Sequence, residues 1–230
     1  LLCLDVTERV VDEAITKGCN LIVAHHPLIF RKLSQVTDAN YVQRTVIKAI
    51  KNDIVIVAMH TNLDAAFGGV NFKIAEKLRL RDVRFFGREK VVTNPLTDKK
   101  VTGGDGVIGC FDTPLAADDL ILLLKKEFDV ECVQANELLR RDIRTVALCG
   151  GSGSFLLQDA INAGADAFIT GEMGYHEFFG HEQEIQLCVI GHYQSEQYTT
   201  EVLRDVIERD CPGVKCCISE INTNPIVYFS

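Results

Sequence analysis

No apolar run in the chain approaches the ~18 residues of a membrane-spanning helix, and no basic segment leads into an apolar one at its start. A soluble protein without a secretory leader is expected. Cys-x-x-Cys is also missing, so the nine cysteines, an odd number in a chain of 230 residues, signal neither a zinc knuckle nor a thioredoxin-like motif. Cys3, Cys19, Cys149 and Cys188 lie inside apolar runs and read as small core residues, whereas Cys211, Cys216 and Cys217 match no usual zinc spacing. Free thiols fit a reducing cytoplasm. Positive charge is in deficit: 24 Lys and Arg stand against 32 Asp and Glu, for a net charge of -8 and a pI near 5.3. A surface built to hold nucleic-acid phosphates is thereby disfavoured.

What is present is ordinary globular composition, 47% hydrophobic and 24% charged, in a chain long enough to bury a core. The first residues, Leu1-Leu2-Cys3-Leu4, already form a strand-like run with no initiator Met, so further residues ahead of them are expected. Thr7 then offers an N-cap before Val10, Val11, Ala14 and Ile15 at helical spacing, and Gly18 closes that helix. Residues 21–24 read as the next strand, 31–40 as a polar connection, 41–51 as a second helix and 54–59 as a third strand. Short apolar strands alternating with helices predict an α/β fold with a mostly parallel sheet. After Gly68-Gly69 a helix is expected over 70–80. Between Gly87 and Gly106 the periodicity lapses into breaker pairs, Asn94-Pro95, Gly103-Gly104 and Asp105-Gly106, which places a link between an N-terminal half, 1–95, and a C-terminal half, 106–230. A strand over 107–111, a helix near 116–127 and a strand over 145–149 follow.

The second half echoes the first. Residues 13–24 align without gaps on 159–170, with Ala, Ile and Gly identical, and 54–59, His60 and Asp64 match 186–191, His192 and Glu196 in order and spacing. An internal duplication accounts for this, against the alternative that any two strand-helix-strand units align by apolar periodicity.

Chemistry gathers where strands stop. His25-His26 stand where the run 20–24 meets Pro27, which cannot join a sheet ladder, so the backbone turns and both imidazoles become available to one cavity. Core or surface histidines are the plain alternative. His60 and Asp64, like His192 and Glu196, are four apart, and a helical turn would set each pair on one face. Together His25, His26, Asp64, His192 and Glu196 offer nitrogen and carboxylate oxygen without thiolate, a mixture suited to Mn, Fe, Co, Ni or Zn. Five such side chains suffice for two divalent metals if Glu196 bridges them, and two metals point to hydrolysis. His60 would then stand at the rim as a supporting or proton-shuttling group. Gly150, Gly151, Ser152 and Gly153 lie at a strand-to-helix turn that either holds phosphate or simply needs small residues; neither a Walker A nor a dinucleotide fingerprint is present. Glu172 and His176 fall where the duplication places His25-His26, and His181, in a polar stretch, reads as solvent-facing.

Four motifs in order, Ala24-His-His-Pro-Leu-Ile-Phe30, His60-Thr-Asn-Leu-Asp-Ala-Ala66 with Gly68-Gly-Val-Asn71, Cys149-Gly-Gly-Ser-Gly153 and Gly191-His-Tyr-Gln-Ser-Glu-Gln197, resemble the NGG-interacting-factor-three-like dinuclear metal proteins, whose members are called GTP cyclohydrolase 1 type 2 homologues. The resemblance runs through almost the whole chain. It implies two similar α/β halves with a dinuclear metal site in the cleft between them, and toroidal homohexamers built as a trimer of dimers. By motif, His26 and Asp64 would hold one metal and His25 and His192 the other, with Glu196 shared and His60 beside them. The segment 87–106 is too short for the small domain that some relatives carry between the halves.

Two functions follow from these expectations. One is a metal-dependent hydrolase acting on a small molecule, a purine nucleotide or phosphoester, with the glycine turn holding phosphate. The other is a non-catalytic module that stores or senses metal and interacts with other proteins. No residue specifies guanine.

Overall fold

The computed structural model describes residues 1–95 and 97–229. After β1 (Leu2–Cys3), the Thr7 hydroxyl accepts from the Val10 N–H at 3.3 Å and starts α1 (Glu8–Thr16), which buries Val10, Val11 and Ala14 and leaves Ile15 exposed at the edge of the stripe. Gly18, at φ +67°, ends the helix in the left-handed conformation and turns the chain into β2 (Leu21–Ala24). The Asn40 side chain caps α2 (Tyr41–Lys51), which leads to β3 (Val55–Ala58). Next come α3 (Thr61–Asp64), α4 (Val70–Lys77), β4 (Arg81–Thr93), β5 (Lys100–Leu115) and α5 (Ala117–Phe128). The remainder is β6 (Gln134–Ala135), β7 (Ile143–Cys149), α6 (Leu157–Asn162), β8 (Ala167–Thr170), β9 (Gln186–Val189), α7 (His192–Glu196) and α8 (Thr199–Asp210).

Two compact units result, Leu1–Leu63 with Tyr198–Ser230, and Asp64–Gln197. The units follow packing, whereas the halves 1–95 and 106–230 follow the breaker pairs of the intervening segment. In the first unit the chain after α8 returns to the sheet: Leu2 N–H donates to the Cys217 carbonyl and Ser219 N–H to the Leu2 carbonyl, both at 2.8 Å. The first unit's sheet is wholly parallel in the order β1-β2-β3, over a core that includes Val10, Ala14, Ile22 and Ala49. The second unit's sheet runs β4-β5-β7-β8-β9-β6 and is mixed, with only β7-β8-β9 parallel. The expectation of a mostly parallel sheet therefore holds for the first unit and is corrected for the second. Phe168, Leu187, Ala147 and Leu156 fill the second core.

The mixed sheet arises where the sequence suggested a link. Residues 87–93 and 100–106 are the outer parts of two long antiparallel strands, and just beyond their ends Asn94 N–H donates to the Lys99 carbonyl at 2.8 Å. Their glycines are there for contact, not for breaking the strand. A Cβ on Gly104 would come within 2.7 Å of the Phe85 ring, and one on Gly106 within 2.5 Å of the Phe86 ring. Strand glycines of this kind let aromatic side chains lie across the backbone.

The ladders also bear on the repeat. Leu2 pairs Val23 and Leu148 pairs Ile169, so the gapless offset extends through both first strands. The third strands fall out of step by one: Val55 N–H donates to the Asn20 carbonyl, but it is Gln186, aligned with Ile54, that donates to Asp166. His60 thus directly follows the last ladder donor, Met59, whereas Gly191 separates His192 from Ile190. A one-residue slip turns side chains to the opposite face, and Gly191, at φ +96°, takes up the difference as no β-carbon residue readily would.

Candidate metal-binding residues

In the first unit β2 and β3 end side by side and bring three histidines together. The His25 and His26 ring centroids are 4.8 Å apart, and His60 lies 5.5 Å from one and 5.6 Å from the other, with Phe30 on its far edge. Each of the first two rings has its tautomer fixed. His25, fully buried, places Nδ1 2.9 Å from the Met59 carbonyl oxygen, and since a carbonyl only accepts, Nδ1 carries the proton and Nε2 the lone pair. His26 does the same with Asp5: Nδ1 donates to Oδ1 at 2.8 Å, and Asp5 Oδ2 accepts from the Thr223 hydroxyl at 2.7 Å. Histidines that ligate metals are held in this way, the second nitrogen donating to a carbonyl or carboxylate that orients the ring and raises its basicity.

The second unit repeats the device. Within α7 the four-residue spacing sets His192 Nε2 3.1 Å from Glu196 Oε2, while His192 Nδ1 donates to Glu172 at 2.9 Å. Glu196 is buried, and its carboxylate, followed by Glu172, pushes the His192 pKa up to about 9 against the opposing effect of burial. A proton on Nε2 thus holds the His192–Glu196 pair together in the absence of a cation. Asp64 acts on the same region: burial first, then the negative charges of Asp64 and Glu196, push the Cys149 thiol up to about 12. Cys149 is therefore an inert core thiol rather than a nucleophile.

Residues 150–153 pack directly against this pair. A Cβ on Gly151, whose φ is +59°, would stand 2.3 Å from Glu196 Oε1 and 3.3 Å from His192 Nε2. One on Gly171 would meet the Gly151 carbonyl at 2.6 Å and Ser195 Oγ at 2.7 Å. The turn's N–H groups have partners inside the unit: Gly150 donates to Asn71 Oδ1 at 2.8 Å, Gly151 to Ser195 Oγ at 2.9 Å and Gly153 to Thr170 Oγ1 at 3.1 Å. These three donors hold protein side chains, which favours the alternative of a turn that needs small residues. Ser152 is exposed and adds no counterpart to them.

Glu172 receives a role as the acceptor for His192. His176 stacks with Phe179 and meets Tyr175 edge-on, and His181, expected to face solvent, is half-buried and bonded to Glu184 at 2.9 Å. Sequence reasoning passed over Asp5, Ser195 and Thr223 as supporting groups. For Asp5 a signal existed, because extending the gapless alignment sets it opposite Gly151 at the end of the corresponding strand.

The donor chemistry of both groups, imidazoles oriented by oxygen acceptors and carboxylates without thiolate, fits borderline divalent cations. Comparison with known proteins agrees with the fold. The chain is 33% identical to a GTP cyclohydrolase 1 type 2 homolog from Clostridium perfringens, over 100% of this chain and 85% of that protein. It is 28% identical to the NIF3-like protein 1 of Drosophila melanogaster, over 99% of this chain and 75% of that one. The crystal structure of Staphylococcus aureus protein SA1388 superposes with a TM-score of 0.87 at 27% identity, covering 100% of this chain and 87% of that chain. The family profile Duf34/NIF3 (NGG1p interacting factor 3) matches residues 1–225, and the chain belongs to that family.

Proposed function

We propose that the chain binds two divalent metal ions and is a metal-dependent hydrolase of a small phosphorylated substrate, a purine nucleotide or phosphoester. The observation that carries this reading is that His25, His26 and His192 each have Nδ1 committed to an oxygen acceptor, which presents Nε2 as the ligand atom. His25 and His26 would supply imidazole nitrogen, and Glu196 carboxylate oxygen, to such an ion. In the full assignment His26 and Asp64 would hold one metal and His25 and His192 the other, with Glu196 available to both. Two such ions, when bound, supply Lewis acidity and lower the pKa of a water at neutral pH. The residues of the chain do the rest. Asp5 and Glu172 orient the imidazoles, Glu196 is the carboxylate beside His192, and His60, packed on His25 and His26, would move a proton to or from the reacting groups. The free thiols add a cytoplasmic location to this reading and the resemblance a homohexamer, the latter checked by the mass in solution.

Elemental analysis of protein purified without added metal, in the wild type and in Glu196→Ala, tests the assignment. Two metals per subunit falling to one or none in the variant, with metal-dependent hydrolysis in a nucleotide screen, is the expected result. No metal in reconstituted wild type would refute it.

One observation favours the second reading, a non-catalytic module that stores or senses metal and contacts other proteins. The N–H groups of Gly150, Gly151 and Gly153 are bound internally, so a phosphate has no ready anion site at that turn. The family's description as an interacting factor points the same way. Full metal content with no hydrolysis of any nucleotide or phosphoester would select it.

A further inference from the structure

Two thiols remote in sequence lie in contact. Cys19 Sγ and Cys217 Sγ are 3.6 Å apart across a separation of 198 residues. Both backbones are fixed. Cys19 N–H donates to the Ala14 carbonyl at 2.8 Å in the turn that ends α1, and the Cys217 carbonyl accepts from Leu2 at 2.8 Å, where Ile218 bridges β1. Both side chains are half-buried, so small reagents can reach them, unlike the buried Cys3, Cys149 and Cys188.

We propose that Cys19 and Cys217 form a redox-active dithiol that closes to a disulfide and pins the C-terminal segment to the turn between α1 and β2. A protein disulfide needs an S–S distance of about 2.05 Å, so the sulfurs must close by roughly 1.5 Å, a movement within reach of side-chain rotation while the backbones stay bonded. With a small-molecule disulfide as oxidant, one protein thiolate attacks it, forms a mixed disulfide and expels one small thiolate. The second protein thiolate then attacks the protein-bound sulfur and expels the other. Two protein S–H bonds are lost, one protein S–S bond forms, and the oxidant leaves as two thiols carrying both protons.

The segment so pinned reaches the candidate metal residues. Beyond Cys217, Glu220 N–H donates to Glu13 Oε1 at 2.9 Å and Lys17 pairs with Glu220 at 2.9 Å. Thr223 then donates to Asp5, the carboxylate that orients His26. Oxidation therefore anchors the start of the strand of contacts that steadies His26, a consequence that rests on the metal reading whereas the dithiol itself does not.

The test is peptide mapping of the full chain, metal-free, equilibrated in glutathione buffers from fully reduced to fully oxidised and then alkylated. Trypsin places Cys19 in residues 18–31 and Cys217, with Cys216, in residues 216–230. The expected result is a linked pair of these peptides that appears with oxidation, persists in Cys216→Ala and is lost in Cys19→Ser and Cys217→Ser. Fragmentation of the linked wild-type peptides separates Cys216 from Cys217 should a variant fail to fold. Linkage through Cys216, or separate glutathione adducts with no linked pair, overturns the proposal. Because no metal enters this experiment, failure of the metal reading leaves its outcome intact. A second arm compares zinc affinity of oxidised and reduced protein, with severalfold tighter binding expected when oxidised, and equal affinity would sever the link to His26 alone.

Discussion

Replacing Asp5 by Ala removes the acceptor of His26 Nδ1–H while leaving every proposed ligand in place. In the intact protein the carboxylate accepts from His26 at 2.8 Å and from Thr223 at 2.7 Å, so the ring is held by a charge-assisted bond that is itself held. Losing such a support typically weakens metal binding by about 10–100-fold, or about 1.4–2.7 kcal/mol. Asp5→Asn keeps an oxygen acceptor without the charge and belongs nearer the lower end of that range. The fold should suffer less, because the Asp5 side chain is 34% exposed and water can replace part of what is lost, so about 1 kcal/mol or less is expected for the metal-free protein. Competition with a chromogenic chelator gives the affinity, and thermal melting without metal separates binding from folding. Wild-type affinity and full metal content in Asp5→Ala, beside a loss in His26→Ala, would refute the reasoning that Asp5 acts through His26.

Gly151→Ala should abolish metal uptake more readily than it unfolds the chain. The new Cβ would lie 2.3 Å from Glu196 Oε1, and the φ of +59° adds about 1–2 kcal/mol of backbone strain; metal analysis beside circular dichroism checks this, and normal uptake would contradict the packing described. The raised His192 pKa sets a pH dependence. Because the folded value, about 9, lies above the ordinary 6.5, the contribution to metal-free stability is fully present below about pH 6.5 and disappears as pH rises through about 9. Melting temperatures across that window should fall, and Glu196→Gln, which removes the first cause of the shift, should flatten the fall. Metal at His192 must displace the same proton, so affinity should climb with pH toward about 9, which calorimetry in buffers of different ionisation enthalpy reads as proton release.

The alternation of short strands with helices was legible, and so was the cap at Thr7, because an N-cap needs only a side-chain oxygen one residue ahead of a periodic apolar stripe. The hairpin over Arg81–Thr93 and Lys100–Leu115 was not. Its glycines carry the same local signal whether they break a strand or make room for Phe85 and Phe86, and only the partner strand decides between these. The Gly150–Gly153 turn was ambiguous for a similar reason, since a glycine-rich turn is free to bind an anion only if nothing within the protein claims its N–H groups, and Asn71, Thr170 and Ser195 come from distant positions.

Sequence alone determined which residue types end the strands: imidazoles and carboxylates at His25, His26, His60, Asp64, His192 and Glu196, without thiolate, which fixes the class of cation they suit. Tertiary structure decided their state. The tautomers of His25 and His26 depend on Met59 and Asp5 and the orientation of His192 on Glu172, groups that are 34, 21 and 20 residues away along the chain. The one-residue slip that places Gly191 ahead of His192 depends on ladder pairing, and the contact between Cys19 and Cys217 on the return of the last segment to β1. The physical reason is common to all three: a residue's chemical type is local, whereas the partner that sets its protonation, orientation or reactivity is brought to it only by the folded chain.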